Sequence, residues 1–140
     1  MKIMICGSMT FSKEMVEAKK KLEGLGHTVA LPCDIDTHLR DGGFIDDLEK
    51  DYLHCVENNV MKKCMDFIAE SEAVLVLNYP KNGIDGYIGT SSLMEIGLAY
   101  YLGKRIFLLH EPPHPTKARW AHEVKIIKPT VINSDFERIR

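Results

Sequence analysis

The chain has 140 residues and a formal net charge of −2. This length fits one compact domain, and the near-neutral charge gives no electrostatic footprint for a nucleic-acid polymer or an anionic membrane. Hydrophobic residues make up 45% of the sequence, too many for a disordered chain, and no apolar run is long enough to span a bilayer. The four cysteines form no Cys-x-x-Cys pair, which predicts free thiols in a cytoplasmic protein without a signal peptide.

The first third of the chain predicts a strand, a helix and a strand. Residues 2–6 form an apolar run that ends at a Gly-Ser pair, which is typical of a buried strand followed by a turn. Ser12 can then cap a helix whose apolar side chains recur at helical spacing up to Leu22. Residues 27–31 predict a second strand, closed by Pro32. This order is the building unit of a parallel sheet.

The middle of the chain departs from this alternation and then returns to it. The polar segment 33–46, which contains two consecutive glycines, predicts an excursion loop. Residues 47–71 carry apolar side chains at helical spacing and predict one long helix or two shorter ones. The continuous apolar run 73–77 is typical of a parallel strand that is covered on both faces.

The last third completes the predicted sheet. Residues 92–102 predict a helix, 105–109 a strand, 118–124 a weak helix and 129–132 a last strand. Residues 1–140 are therefore predicted to form a single α/β domain, a doubly wound parallel sheet of about five strands flanked by helices. Ligands of such sheets bind at the carboxyl ends of the strands, where three predicted loops lie, 7–11, 78–91 and 110–116.

The turn after the first strand carries two candidate substrate-binding residues, Gly7 and Ser8. Backbone N–H groups and hydroxyls at the start of a helix can hold an anion, helped by the helix dipole. A plain turn explains the same residues equally well, because the spacing matches neither a dinucleotide-binding fingerprint nor a P-loop.

The segment 82–97 is the richest in potential chemistry. It combines glycines, which let a ligand approach the backbone closely, with hydroxyls at the start of a predicted helix. Glu95 is predicted in the first turn of that helix, facing the site. Ser92 and Glu95 also match a capping box, in which the glutamate bonds back to the backbone. Local sequence favours the capping role, whereas a loop rich in glycine, tyrosine and acid at the end of a strand favours a catalytic one.

Four stretches of the sequence resemble one enzyme family. They are Glu72-Ala-Val-Leu-Val-Leu-Asn78, Gly86-Tyr-Ile-Gly89, Met94-Glu-Ile-Gly-Leu-Ala99 and Gly103-Lys-Arg-Ile-Phe-Leu-Leu109. The chain resembles the nucleoside 2-deoxyribosyltransferase superfamily, which includes the deoxynucleoside 5′-monophosphate N-glycosidases. The resemblance implies a flavodoxin-like fold and the cleavage or transfer of an N-glycosidic bond in a 2′-deoxynucleoside or its monophosphate.

The resemblance also implies roles for single residues. Glu95 is the implied nucleophile, which attacks C1′ of the sugar and forms a covalent glycosyl-enzyme, as in retaining glycosidases. Asp85 is the candidate proton donor to the leaving base. Tyr87 is a candidate for stacking on the base or touching the sugar, with ordinary loop packing as the alternative. Ser8, Ser91 and Ser92 are the candidates for binding the 5′ end of the substrate, because hydroxyls and amides at helix N-termini suit anions. Gly89 is a further substrate-binding candidate.

The expected partners are small molecules and further copies of the chain. The resemblance implies a nucleoside or nucleotide substrate, no metal or organic cofactor, and a homodimer or higher homo-oligomer. The segment 47–71 is the predicted interface. Two histidine-containing clusters lack a third convergent metal ligand on a rigid element, so they are interpreted as exposed loop residues, and the lone helical His54 as a surface residue. The clusters are Asp34, Asp36 and His38, and His110 and His114.

Two other functions fit the same sequence. A nucleotide-binding or sensing module would keep the fold without turnover, and Glu95 would then only cap its helix. A ribonucleotide N-glycosidase of related architecture would prefer ribose over 2-deoxyribose, so a comparison of the two sugars separates it from the first hypothesis.

Overall fold

Strand order is the feature that defines this molecule's architecture. The structure, a computed structural model, describes residues 1–140 except for the side chain of Phe44. The strands are Lys2–Cys6 (β1), Thr28–Ala30 (β2), Ala73–Val76 (β3), Arg105–Leu108 (β4) and Thr130–Val131 (β5). They form one sheet in the order β2-β1-β3-β4-β5, with every pairing parallel. This is the order of flavodoxin-like doubly wound sheets, so the predicted fold class is confirmed.

Helices connect the strands and cover both faces of the sheet. In the described chain they are Ser12–Gly24 (α1), Ile35–Arg40 (α2), Leu48–Glu57 (α3), Val60–Ala69 (α4), Thr90–Tyr101 (α5) and Ala121–Ile127 (α6). Short 3-10 turns lie at Met9–Phe11, Gly42–Phe44 and Phe136–Arg138. Among the helices that the structure describes, none combines the length and apolar character needed to cross a membrane.

The segment between β2 and β3 is more regular than its sequence predicts. The predicted loop 33–46 contains α2 and a 3-10 turn, so that prediction was wrong. Only Ile35 and His38 of α2 are buried, and two positions are too few to produce a recognisable helical pattern in a polar sequence. Residues 47–71 form two helices, because Asn59 adopts the left-handed conformation with φ of 51° and interrupts the helix.

The start of α1 also differs from the prediction. Ser12 is the first residue of the helix, and Phe11 occupies the N-cap position. The Ser12 hydroxyl donates to the carbonyl of Met9 in the preceding 3-10 turn. The tight turn after β1 is thus stabilised by Ser12 from within the helix, which is why the predicted cap does not form.

Two apolar layers hold the sheet, because successive residues of a strand point to opposite faces. On one face, Ile3 and Leu75 pack with Met15 of α1. On the other face, Met4 and Val76 pack with helices α4, α5 and α6. Both β1 and β3 are therefore buried on both sides. This burial fixes the carboxyl ends of the strands, and the helices that begin there, in a rigid frame.

Candidate active site

A cavity of about 290 Å³ lies at the carboxyl edge of the sheet, beside β1 and β3. These strands are neighbours, but the helix that follows β1 packs on one face and the helix that follows β3 on the other. The two connections diverge and leave a crevice, which is where doubly wound sheets bind ligands. Small-molecule sites span roughly 300–1,000 Å³, so the cavity has the size of a compact one.

Three connections of the chain form the walls of this cavity. Gly7, Ser8 and Met9 come from the turn after β1, and residues 89–92 come from the start of α5. The third wall consists of residues from the segment between β2 and β3: Pro32, Asp34, His38, Ile45, Asp51, Cys55, Val60, Met61, Cys64 and Met65. Sequence reasoning missed this wall, because a helical pattern over 47–71 does not show which strand end the helix approaches.

Glu95 lies in the second turn of α5 rather than in its first. The helix begins at Thr90, and the amide of Leu93 donates to the carbonyl of Gly89 at 2.9 Å. Ser92 is therefore a buried residue of the first turn, and the predicted capping box is wrong. Helical side chains lean toward the N-terminus of their helix, which brings Glu95 into the wall of the cavity. Its carboxylate is thus available for another role.

The surroundings of Glu95 keep its carboxyl group unusually basic. Burial raises the pKa of Glu95 to about 7, because desolvation penalises the carboxylate. The thiol of Cys6, the last residue of β1, donates a hydrogen bond to this carboxylate and lowers its pKa in part. Burial, together with the charge of Glu95, raises the pKa of the Cys6 thiol well above its usual range, so the thiol keeps its proton and remains a donor. A carboxyl group of shifted pKa in a cavity is typical of an active site.

The structure brings most of the predicted site residues together. Those that line the cavity are Gly7, Ser8, Gly89, Ser91, Ser92 and Glu95. Asp85 is exposed and is not part of the lining. Its loop folds back on itself through a bridge between Lys81 and Ile84, which leaves Asp85 facing solvent.

Tyr87 also lies outside the cavity lining. Its ring packs edge-on against Trp120, with the two ring centroids 6.2 Å apart. The structure therefore shows the loop-packing alternative for Tyr87, and it does not bring the ring to the wall where a base or sugar would lie.

Ser8 joins the two loops at the edge of the cavity. Its Oγ lies 3.1 Å from Thr10 Oγ1 and accepts a hydrogen bond from Lys81 Nζ at 2.9 Å. Lys81 belongs to the loop after β3, so this contact brings a positive charge beside the hydroxyl groups. This edge is the part of the site best suited to an anionic group, since Asp34, Asp51 and Glu95 line the remainder.

A cluster of Asp34, His38 and His54 adjoins the cavity. Asp34 Oδ2 lies 3.0 Å from His38 Nε2 and 2.9 Å from His54 Nε2. The side chains of the two histidines are 2% and 17% exposed, so their interpretation as exposed residues was wrong. His54 comes from α3, 20 residues after Asp34, and no local pattern indicates that the two would meet. Asp36, which the sequence groups with Asp34, is exposed.

Comparisons with known proteins give distant structural likenesses. No protein-family model matches the chain, and no curated protein matches it at a significant level. The 2-deoxyribosyltransferase of Bacillus psychrosaccharolyticus is 24% identical, with a TM-score of 0.49, and the match covers 77% of this chain and 71% of that one. The CMP N-glycosidase BcmB of Clostridium botulinum is 17% identical, with a TM-score of 0.47 and coverages of 94% and 85%. At these values, the function has to be argued from the residues of the cavity.

Proposed function

We propose that this chain is an enzyme that cleaves or transfers the N-glycosidic bond of a 2′-deoxynucleoside or its 5′-monophosphate, with Glu95 as the nucleophile. The observation that carries the proposal is the state of Glu95, a cavity-lining carboxyl group with a pKa of about 7 and no capping role. The sequence resemblance supplies the substrate class. Four free cysteines fit a reducing compartment, and we propose the cytoplasm as its location.

The reaction that we propose has two steps. An oxygen of ionised Glu95 forms a bond to C1′ while the bond from C1′ to the base nitrogen breaks, and that electron pair leaves with the base. Water or a second base then forms a bond to C1′ and gives its proton to the group that protonated the first base, while the bond from C1′ to Glu95 breaks and restores the carboxylate. Partial desolvation favours this chemistry, because it raises the basicity of the carboxylate that has to attack.

The proton donor for the leaving base is sought among the acids of the cavity wall. Asp34 is held by two histidines, which leaves Asp51 of α3 as the candidate. Asp51 Oδ1 accepts a weak hydrogen bond from Cys55 Sγ at 3.8 Å. Asp85, the donor that the sequence suggested, remains a prediction, although its exposed position gives it no support.

The decisive experiment is an assay of base release. Deoxynucleoside 5′-monophosphates, deoxynucleosides and their ribose counterparts are incubated with the wild type and with Glu95→Gln, with and without an acceptor base. Release that disappears in the variant supports the proposal and names the substrate. Release from ribose substrates alone would assign a ribonucleotide N-glycosidase, and binding without any release would assign a nucleotide-binding module. Asp51→Asn and Asp85→Asn in the same assay identify the proton donor.

The pH dependence of base release is expected to follow the ionisation of Glu95. The nucleophile has to be ionised, so kcat/KM should rise with pH along a limb with an apparent pKa of about 7. Cys6→Ala removes the donor that lowers this pKa and should move the limb to higher pH. Cys6→Ser supplies a stronger donor and should move it to lower pH. A limb that stays in place in both variants would contradict the role of Cys6.

We also propose that the chain forms a homo-oligomer through α3, within the predicted interface segment 47–71. The exposed fractions of Leu48, Tyr52 and Val56 are 79%, 66% and 60%. These residues are four apart and share one side of the helix, where they form an apolar stripe of the kind that marks interaction sites. Asp51 and Cys55 of the same helix line the cavity, so a second copy would lie beside the site.

Charges placed on this stripe should dissociate the oligomer. We expect Tyr52→Lys combined with Val56→Lys to reduce the mass measured by light scattering during gel filtration to that of one chain. Ile126→Lys is the matched control, because Ile126 is 61% exposed on α6, and it should leave the mass unchanged. A wild type that is already monomeric at high concentration rules the proposal out.

A further inference from the structure

A second site adjoins the cavity, built from groups that the proposed reaction does not use. Asp34, His38 and His54 each offer one ligand atom, and these three atoms lie within 4.8 Å of one another. We propose that Asp34, His38 and His54 bind a divalent transition-metal ion, of which Zn²⁺ is the best fit, in the wall of the cavity. This inference does not depend on Glu95 being a nucleophile.

The spacing of the donor atoms suits such an ion. Bonds from zinc to imidazole nitrogen and carboxylate oxygen are about 2.0–2.1 Å, which places two ligands of a tetrahedral ion roughly 3.3 Å apart. The observed distances from Asp34 Oδ2 to the two imidazole nitrogens are 2.9 and 3.0 Å. These contacts differ from the tetrahedral spacing by only a few tenths of an ångström, a change of the size that side-chain rotations provide.

The three ligands are held by rigid elements. Asp34 occupies the N-cap position of α2, and His38 follows one turn later, so the two share a face of that helix. Ile35, buried beside them, anchors α2 against the core. His54 reaches the cluster from α3. The side chains are between 2% and 17% exposed, which restricts their rotamers and reduces the entropy lost on binding.

The donor set distinguishes between classes of metal. Two imidazoles and one carboxylate suit Zn²⁺ and neighbouring transition metals, whereas Mg²⁺ and Ca²⁺ prefer oxygen ligands. The same three residues can also form a purely hydrogen-bonded cluster, in which each Nε2 carries a proton and donates to the carboxylate. Metal binding replaces both of these protons, so the two states are separable by experiment.

A metal ion in this position would change the electrostatics of the cavity. Asp34 and His38 themselves line it, together with Asp51 and Glu95. The double positive charge of an ion bound by Asp34 would offset the negative charge of the carboxylates in this wall. Three protein ligands leave one position of a tetrahedral ion for water or for an anionic group of a ligand. The ion therefore acts as a binding element in the cavity that Glu95 also lines.

Cobalt serves as a spectroscopic probe of the site. Chelator-treated and desalted protein is titrated with Co²⁺, and we expect one ion per chain, with the visible absorption bands of a four-coordinate centre. Equimolar Zn²⁺ should abolish the bands, remain bound through gel filtration and raise the Tm, since a ligand that binds only the folded state stabilises it. A wild type that shows no bands and retains no zinc overturns the proposal.

Single substitutions locate the bound ion. Asp34→Asn and His54→Gln should each weaken binding by more than about tenfold, the loss that even outer partners of metal ligands produce. His54 is the most exposed ligand, so His54→Gln decides the matter if Asp34→Asn fails to fold. Cys33→Ser and His114→Gln are controls that should bind like the wild type. Cys33 Sγ lies 3.8 Å from Cys64 Sγ, so binding that is lost in Cys33→Ser and kept in His54→Gln would assign the ion to the thiols instead.

Discussion

Glu95→Gln is expected to abolish base release while leaving the fold intact. The amide cannot attack C1′, and it cannot act as a leaving group in the second step. We expect kcat to fall at least about a thousandfold, within the loss that removal of a covalent nucleophile produces in other enzymes. Substrate affinity, measured by calorimetry, should change little, because the amide has nearly the shape of the carboxyl group. Full activity in this variant would show that Glu95 is not the nucleophile.

The same substitution should stabilise the fold at alkaline pH. The pKa of Glu95 is about 7 in the folded state and 4.5 ordinarily, so the folded protein holds this proton to higher pH. The contribution of Glu95 to stability is therefore greatest below pH 4.5 and is lost as the pH rises to about 7. Glutamine has no charge to desolvate, and at pH 8 it should raise the free energy of unfolding by about 1–3 kcal/mol.

Urea unfolding at pH 8 and pH 4 measures this difference. The gain from Glu95→Gln should be present at pH 8 and nearly absent at pH 4. Glu17→Gln, at an exposed position of α1, is the matched control and should change stability little at either pH. An equal gain at both pH values would show that desolvation of the carboxylate is not its cause.

Gly86→Ala is expected to be the most damaging single-methyl change in the loop after β3. Gly86 has a φ of +71°, and a Cβ there would lie 2.1 Å from the backbone oxygen of Glu111. The backbone at Gly86 and the backbone at Glu111 can relieve this clash only if the loops after β3 and β4 move apart. The substitution combines a strained conformation with a backbone clash, and we expect it to lower the free energy of unfolding by at least about 3 kcal/mol.

Gly83→Ala is the matched control for this prediction. Gly83 has nearly the same φ, +72°, but a Cβ there meets nothing within 4 Å. It should therefore show only the conformational penalty, about 1–2 kcal/mol. The difference between the two variants in urea unfolding isolates the close approach of the two loops. Equal effects would mean that Gly86 does not approach Glu111 as closely as the structure has it.

The sequence predicted the parts of the fold that depend on local pattern. The apolar runs at 2–6 and 73–77 are β1 and β3, because strands that are buried on both faces need continuous apolar residues. The helix α2 could not be predicted, because it buries only Ile35 and His38 and therefore has no recognisable pattern of apolar residues. Its tertiary surroundings, rather than its own pattern, make it a helix.

The residues of the candidate site also fall into two groups, those that local sequence predicts and those that only the tertiary structure brings together. Ser8 and Glu95 could be predicted, because Ser8 directly follows β1 and Glu95 lies near the start of the helix after β3. The carboxyl ends of neighbouring parallel strands meet at one edge of the sheet. Asp85 is near Glu95 along the chain, but its loop folds back on itself and leaves Asp85 exposed and outside the cavity lining. The pairing of Asp34 with His54 joins two helices whose relative position no local pattern contains.

The three walls of the cavity have a consequence for how the site forms during folding. They come from the connections after β1, β2 and β3, which pack on opposite faces of the sheet. The binding surface thus exists only after both apolar layers have closed, and an intermediate with one layer would have no site. Any ligand that fills the cavity should consequently stabilise the whole fold. It should slow amide hydrogen exchange in the buried strands β1 and β3 as well as in the loops that it contacts.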